Sequence, residues 1–407
     1  SWAVVPRAIS VVLSYEAERR RFRSYELDPK NTAEERKKRT PRLQFAYVNG
    51  RYTGLPVLCL LYPSIELARL GNVRSAAWAT GANGRPELSA VLDMVKNRLG
   101  PGVSRLIAEY GSDSGADDER WYWVAPMLLD LERHKVDSHA WFDQKNLSEL
   151  WTAKHFDDED GRGGARWKEH VAVATKLALD PAELGKPPDD LLELLAEMAV
   201  ASPAVCALRA MARVTKGMPL TSNVNVRTAA GQVGWAFRAL FNRPSVISMV
   251  RGLYESAELP YWRQAIRYCA DGVLQSVLNE YAHILRDSLG VREHDPGEAA
   301  VQIAGEMTDA LTMRTVTVGV DEIGTKQWAP SIDSHRMRIS FAMAFGDHRD
   351  ENQREGVRQE QLRTAFNSPF RPFVLASTSV GQEGLDFHQY CHAVVHWNLP
   401  SNPVDLE

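Results

Sequence analysis

Residues 377–387 read Ser377-Thr378-Ser379-Val380-Gly381-Gln382-Glu383-Gly384-Leu385-Asp386-Phe387, a run of hydroxyls, two glycines and a closing carboxylate. These residue types suit a phosphorylated ligand. Glycine lets the backbone come close to a phosphate, hydroxyls and backbone N–H groups donate to its oxygens, and a following Asp accepts from a ribose hydroxyl. The same spacing also describes an ordinary strand-to-helix turn, and the residues alone leave both readings open.

The elements around this run have the rhythm of a parallel α/β sheet. Ile339–Phe345 reads as a strand, Arg354–Phe366 as an amphipathic helix, and Phe373–Ala376 and Ala393–Trp397 as short buried strands. The glycine-rich run therefore falls at the carboxyl end of a strand, where open α/β sheets bind ligands. Upstream, residues 3–20 read as a helix, with Val5, Ile9, Val12 and Leu13 in one stripe and Pro6 in the first turn. A charged connector from Asn31 to Arg42 contains Glu34-Glu35-Arg36-Lys37-Lys38-Arg39 and is weighed as a solvated loop or helix face against a phosphate track. Leu43–Val48 and Val57–Tyr62 read as strands, separated by the turn signals Asn49-Gly50 and Gly54. From about residue 86 to residue 314 the period is helical. Leu88, Leu92, Val95 and Leu99 share a face, as do Leu191, Leu192, Leu195 and Met198; Val273–Leu289 is the clearest helix, with Leu274, Val277, Leu278, Tyr281, Leu285 and Leu289 toward a core.

The run 377–387 resembles motif V of superfamily 2 helicases, a small–Thr–x–Val–small–x–x–Gly–Ile/Leu–Asp pattern on which Thr378, Val380, Gly381, Gly384, Leu385 and Asp386 fall. Ala393–Pro400 resembles the strand that follows it, and Asn402-Pro403-Val404-Asp405-Leu406-Glu407 resembles the approach to motif VI, in the Asn-Pro form of the Swi/Snf-like branch. Phe345-Gly346-Asp347 and the helix after it resemble motif IVa, and Ser1-Trp2 with the following helix resembles what succeeds motif IV. The central block resembles bacterial helicase-related proteins, some encoded near phage-defence genes. Ser379, Gln382 and Glu383 depart from the Swi/Snf-like form, which has Arg and further glycines there.

This resemblance implies an α/β RecA-like lobe, a three-layer parallel sheet, split by a large mainly α-helical insertion. Residues 1–20 would begin the second RecA-like domain, 21–335 would be the insertion, and 336–407 would carry motifs IVa, V and the start of VI. Ser377, Thr378, Ser379, Val380 and Gly381 would contact the nucleic-acid backbone. Gly384 and Asp386 would face ATP, with Gln382 and Glu383 between the two sites. ATP and Mg²⁺ would be held mainly by a first RecA-like domain outside this chain, the nucleic acid would be DNA in preference to RNA, and an arginine-finger motif would follow Glu407. The chain itself would then be the C-terminal motor lobe of an ATP-dependent helicase or translocase. The competing reading makes residues 86–314 a protein- or DNA-docking module on a non-catalytic helicase-like scaffold, with Trp121, Tyr122 and Trp123 as exposed aromatics.

Other constellations read blandly. Val318-Gly319-Val320-Asp321-Glu322 looks like a Walker B strand but follows the motif IV region instead of preceding it, so strand plus turn is the better account. Gly81-Ala82-Asn83-Gly84-Arg85 lacks the Lys and hydroxyl of a phosphate-binding loop. His388, His392 and His396 have no carboxylate or Cys at ligand spacing, and the acidic loops Asp113–Glu119 and Asp157–Asp160 lack the alternating oxygen ligands of a calcium loop. With 48 Lys+Arg against 52 Asp+Glu the net charge is −4, so nucleic acid would need a local contact, not a global basic field. Cys59, Cys206, Cys269 and Cys391 form no C-x-x-C pair, which points to a reducing cytoplasm. No apolar stretch reaches the roughly 18–20 residues of a transmembrane helix. The start at Ser1 and the end at Glu407 read as cuts.

Overall fold

The structure, a computed structural model, describes residues 43–72, 87–152, 163–181, 184–215, 223–254, 259–312, 316–326, 329–339, 363–370, 389–391 and 393. The chain divides into two units, Ser1–Thr308 and Asp309–Glu407.

Among the described residues the first unit opens with a small hairpin, β1 (Tyr47–Val48) and β2 (Arg51–Tyr52), paired antiparallel. Asn49 (φ 50°) and Gly50 (φ 77°) form its two-residue turn, the left-handed pair that Asn-Gly adopts readily and that matches strand twist. The run Val57–Tyr62, expected as a strand, is instead a 3-10 turn (Leu55–Val57) and helix α1 (Leu58–Leu61). A short, continuously apolar run has no period to separate strand from buried helix, and Pro56 in the first turn favours the latter. Of the expected strand Leu43–Val48 only Tyr47 and Val48 pair as a strand, in β1.

Helices then follow: α2 (Ile65–Leu70), α3 (Leu88–Tyr110), α4 (Trp121–Arg133), α5 (Lys135–Phe142), α6 (Leu147–Thr152), α7 (Gly163–Leu179), α8 (Leu191–Ala201), α9 (Pro203–Val214), α10 (Val224–Phe241), α11 (Pro244–Leu253), α12 (Tyr261–Asp271), α13 (Leu274–Ser288) and α14 (Pro296–Thr312). Local chemistry starts several of them. Asn223 accepts from the Asn225 and Val226 amides, and Asp295 from those of Gly297 and Glu298, satisfying amides that a helix start leaves free. Pro126 sits inside α4 and cannot donate to the Tyr122 carbonyl; the Cys59 thiol donates to it instead, at 3.4 Å.

The core is centred on α8 and α9, which bend by 41° at Ser202. Both are buried almost all round: α8 packs on α2, α3 and α12, while α9 packs on α10 and α13. The Ser202 hydroxyl donates to the Cys59 carbonyl at 2.8 Å, tying the bend to α1. Helical period is borne out in part. Val95 and Leu99 of the expected face in α3, Leu191, Leu195 and Met198 in α8, and Leu274, Leu278, Tyr281 and Leu285 in α13 are buried. Leu88, Leu92, Leu192, Val277 and Leu289 are half-buried, and the buried stripe of α3 runs through Val91, Val95, Leu99, Val103 and Leu106. Among the described residues no single helix is long and apolar enough to cross a membrane.

In the second unit, β3 (Val316–Lys326) and β4 (Ala329–Ile339) pair antiparallel along their full length, from Val316↔Ile339 to Lys326↔Ala329. This overturns the expected fold class. Among the described residues the strands make two two-stranded antiparallel sheets, no parallel sheet, and the rest is overwhelmingly helical, so the chain is not an α/β RecA-like lobe split by an insertion. The two strands that are described in this unit are joined by two residues, enough for a hairpin and too few for the crossover of a dozen or more that a parallel pair needs. Of the strands expected for the parallel sheet, Ile339–Phe345, Phe373–Ala376 and Ala393–Trp397, all but Ile339 and Ala393 lie outside the described residues. The Val318–Glu322 run lies within β3, and the strand continues through Asp321 and Glu322 without the expected turn. The hairpin also spans the 335/336 junction anticipated between insertion and lobe. Residues 363–366 are helical, inside the span read as Arg354–Phe366.

Candidate functional site

The motif-V-like residues Ser377, Thr378, Ser379, Val380, Gly381, Gln382, Glu383, Gly384 and Asp386 lie outside the described residues, as do His388, His392 and His396, residues 1–42 and the 81–85 loop. The Asp113–Glu119 loop does a structural job: Asp118 accepts from the Gly185 amide and from Arg120, and Lys186 pairs with Asp117, while the Asp157–Asp160 loop lies outside the described residues. Among the described residues no group of three or more His, Cys, Asp or Glu is placed to hold a metal ion. Trp121, Tyr122 and Trp123, read as exposed, are core or half-buried residues. Trp121 is 0% and Trp123 2% exposed, the Trp121 indole donates to the Gly185 carbonyl, and the Tyr122 hydroxyl donates to Asp190.

Three buried polar groups organise the first unit. Asp130, on α4, collects five donors: the Ser64 hydroxyl and Glu66 amide on Oδ1, at 2.9 and 2.8 Å, and the Tyr62 hydroxyl, Ile65 amide and Arg227 guanidinium on Oδ2, at 2.9, 3.0 and 2.7 Å. Arg227, on α10, also donates to the Pro63 carbonyl and lies over the Trp141 ring, 4.8 Å from its centroid. Burial pushes the Tyr62 hydroxyl well above its ordinary range, so it stays a donor. Every lone pair of Asp130 is committed to construction. Arg209, on α9, is equally buried and donates to the carbonyls of Ala199 and Val200 at the end of α8, with Ala68 and the Gln275 side chain as further acceptors. A cation placed there meets the free carbonyls and the negative end of the helix dipole. Beside it, a Cβ on Gly71 would come within 2.1 Å of the Ala199 carbonyl oxygen, so only glycine permits this approach.

The third group is less complete. Glu197, on α8, accepts from Arg267 at 3.0 Å, while its Oε2 lies 3.9 Å from Arg263 Nε; neither of those two atoms has a hydrogen-bond partner, nor has Gln264 Oε1 nearby in sequence. Burial pushes the Glu197 carboxyl up, against the pull of Arg267 and Arg263. Arg263 itself pairs with Asp190, which also receives the Tyr122 hydroxyl.

The surface feature with a different character is the 45–54 hairpin. Its base is anchored: Leu43 exchanges hydrogen bonds with the Asn242 side chain, Arg238 donates to the Leu43 carbonyl, and the Arg238 guanidinium lies over Phe45 and Trp235. Phe45 packs against Trp167, Trp235 and His170, and His170 against Tyr52. His170 accepts the Gly54 amide on Nε2, so Nδ1 carries the proton and donates to the Arg166 carbonyl at 2.7 Å. Burial lowers the pKa of this ring, consistent with the neutral tautomer. Gly54 is needed for the approach, since a Cβ there would meet the Gln44 carbonyl oxygen at 2.4 Å. The tip, by contrast, is open: Tyr47 and Val48 are each 50% exposed, and Asn49, Gly50 and Arg51 are exposed as well.

No family model, curated protein or solved structure matches this chain. Of the residues that carry this geometry, the sequence marks the turn signals Asn49-Gly50 and Gly54 and the aromatics Trp121 and Tyr122, and none of the buried charges. A signal for the others exists: Asp130, Arg209 and Arg227 are single charges inside apolar helical runs such as Met127-Leu128-Leu129-Asp130 and Ala207-Leu208-Arg209-Ala210-Met211.

Proposed function

We propose that the chain is a nucleic-acid-docking module of an ATP-driven motor, with the helical unit as a rigid platform and no complete ATPase site of its own. The observation that carries this reading is the Asp130 hub. It joins α2, α4 and α10 through a fully satisfied buried network, and such networks fix one arrangement of the elements they link. The first unit's buried charges are thus spent on holding shape. The link to a motor is the resemblance of Ser377–Asp386 to a helicase motif, in which Thr378 and its neighbours would meet the nucleic-acid backbone and Asp386 the nucleotide. ATP and Mg²⁺ belong, in this proposal, to a separate motor domain, DNA is favoured over RNA, and the setting is the reducing cytoplasm, in keeping with the buried free thiols Cys59, Cys206 and Cys269.

Two measurements on the purified chain test it together. Fluorescence anisotropy with a labelled single-stranded oligonucleotide is expected to show binding that weakens as salt rises, because phosphate contacts release counterions. A coupled ATPase assay with and without that oligonucleotide is expected to show no turnover. Nucleic-acid-stimulated hydrolysis would overturn the absence of a complete ATPase site in this chain, and absence of binding at low salt would end the docking reading.

A further inference from the structure

We propose that the tip of the 45–54 hairpin is a single-strand contact, with Tyr47 as a base-stacking surface and Arg51 as its phosphate partner; this rests on the nucleic-acid reading above. Three independent observations converge on it. First, the tip exposes an aromatic ring and a Val on a two-residue turn, half of each side chain's surface facing outward, although the fold buries Trp121, Trp141, Trp151 and Trp167 almost completely. Second, the exposed ring is backed, not loose. Tyr47 lies 4.9 Å from the Tyr52 ring, Tyr52 lies 5.0 Å edge-on to His170, and His170 meets Phe45, which Arg238 and Trp235 hold in the core. A pre-organised ring loses little freedom when it stacks. Third, the described hairpin and its base, residues 43–54, carry Arg51 and not one Asp or Glu, in a chain whose net charge is −4.

Stacking on a rigid aromatic beside cations is the chemistry by which proteins hold single strands without reading sequence, since every base offers a π-face. The hairpin itself, residues 43–54, offers a protein partner of mixed charge no carboxylate to pair with its cations. The two-residue turn also keeps the tip narrow, so the ring can enter a stack of unpaired bases without backbone obstruction.

Titrations of the full chain with a labelled oligothymidine, and with the same backbone made abasic, separate the two roles. Tyr47→Ala is expected to weaken oligothymidine binding about tenfold, to leave abasic binding nearly unchanged, and to leave the salt slope as it is. Tyr47→Phe, which keeps the ring, is expected to bind within about twofold of the unaltered chain. Arg51→Ala is expected to lower the slope of log affinity against log salt by about 0.7. An unaltered unfolding midpoint for each variant shows that the fold is intact. If the unaltered chain binds and Tyr47→Ala binds equally well, or loses abasic binding to the same degree, the hairpin proposal is overturned while docking stands. If the unaltered chain does not bind, both fall.

Discussion

Asp130 and Glu197 are both buried carboxylates beside arginines, yet their surroundings differ in completeness. Asp130 is met by two backbone amides, two hydroxyls and a guanidinium. Glu197 receives Arg267 on one oxygen, and its other oxygen stands 3.9 Å from Arg263 without a hydrogen bond. The difference follows from position. Asp130 reaches the start of α2, where the Ile65 and Glu66 amides have no intrahelical acceptor. Glu197 stands in the middle of α8, where backbone amides are already used within the helix, so only side chains can serve it. A buried charge is therefore cheap where a helix begins and costly along its flank.

The comparison breaks most sharply at Arg227. Arg227→Met strands Asp130 without its counter-charge, and urea unfolding is expected to show a loss of about 3–5 kcal/mol. Arg263→Met acts on the incomplete cluster, where Arg267 still compensates Glu197; the same measurement should give a loss of about 1–2 kcal/mol. Equal losses from the two variants would erase the distinction between the clusters.

A third contrast is in pH. Burial pushes the Glu66 carboxyl up, but Arg69 and His134 more than offset this and hold it at about 2, against an ordinary 4.5. The native state then binds fewer protons than the unfolded one, so this group's contribution is full above the ordinary value and is lost as pH falls toward about 2. Glu197 has the opposite sign. Its raised folded value makes the native state bind more protons, so stability falls as pH rises from the ordinary carboxylate value through the folded one. Glu66→Gln should flatten the acid limb of a stability–pH curve, and Glu197→Gln should flatten the fall above it. The smallest effect expected is a shift of the unfolding midpoint at Val273, a β-branched residue held at φ 50° before α13, where Val273→Gly should stabilise by about 1 kcal/mol.

How much of this was legible varies with the element. The stripes of α3 and α13 and the Asn49-Gly50 turn follow from period and from turn chemistry, which act between residues a few positions apart. The parallel sheet inferred from the ends of the chain does not hold among the described residues, because alternation and apolar runs show that a segment is extended without showing its partner. Val316–Ile339 pairs with itself across a two-residue connection. Trp121 and Trp123 look the same in sequence whether they face solvent or a core; α4 buries them because its two ends are held, at Trp121 by the Gly185 carbonyl and at Asp130 by α2 and α10.

Sequence by itself therefore determined the helical character of the central block, the hairpin turn and the motif-like run Ser377–Asp386. Tertiary structure alone decided that the Val57–Tyr62 run is helical, that Asp130, Arg209 and Arg227 are construction members, and that Tyr47 faces outward. The physical reason is range. Period, caps and turns are set by neighbours along the chain, while burial and charge compensation depend on partners such as Arg227, 97 positions from Asp130, which only packing brings within reach.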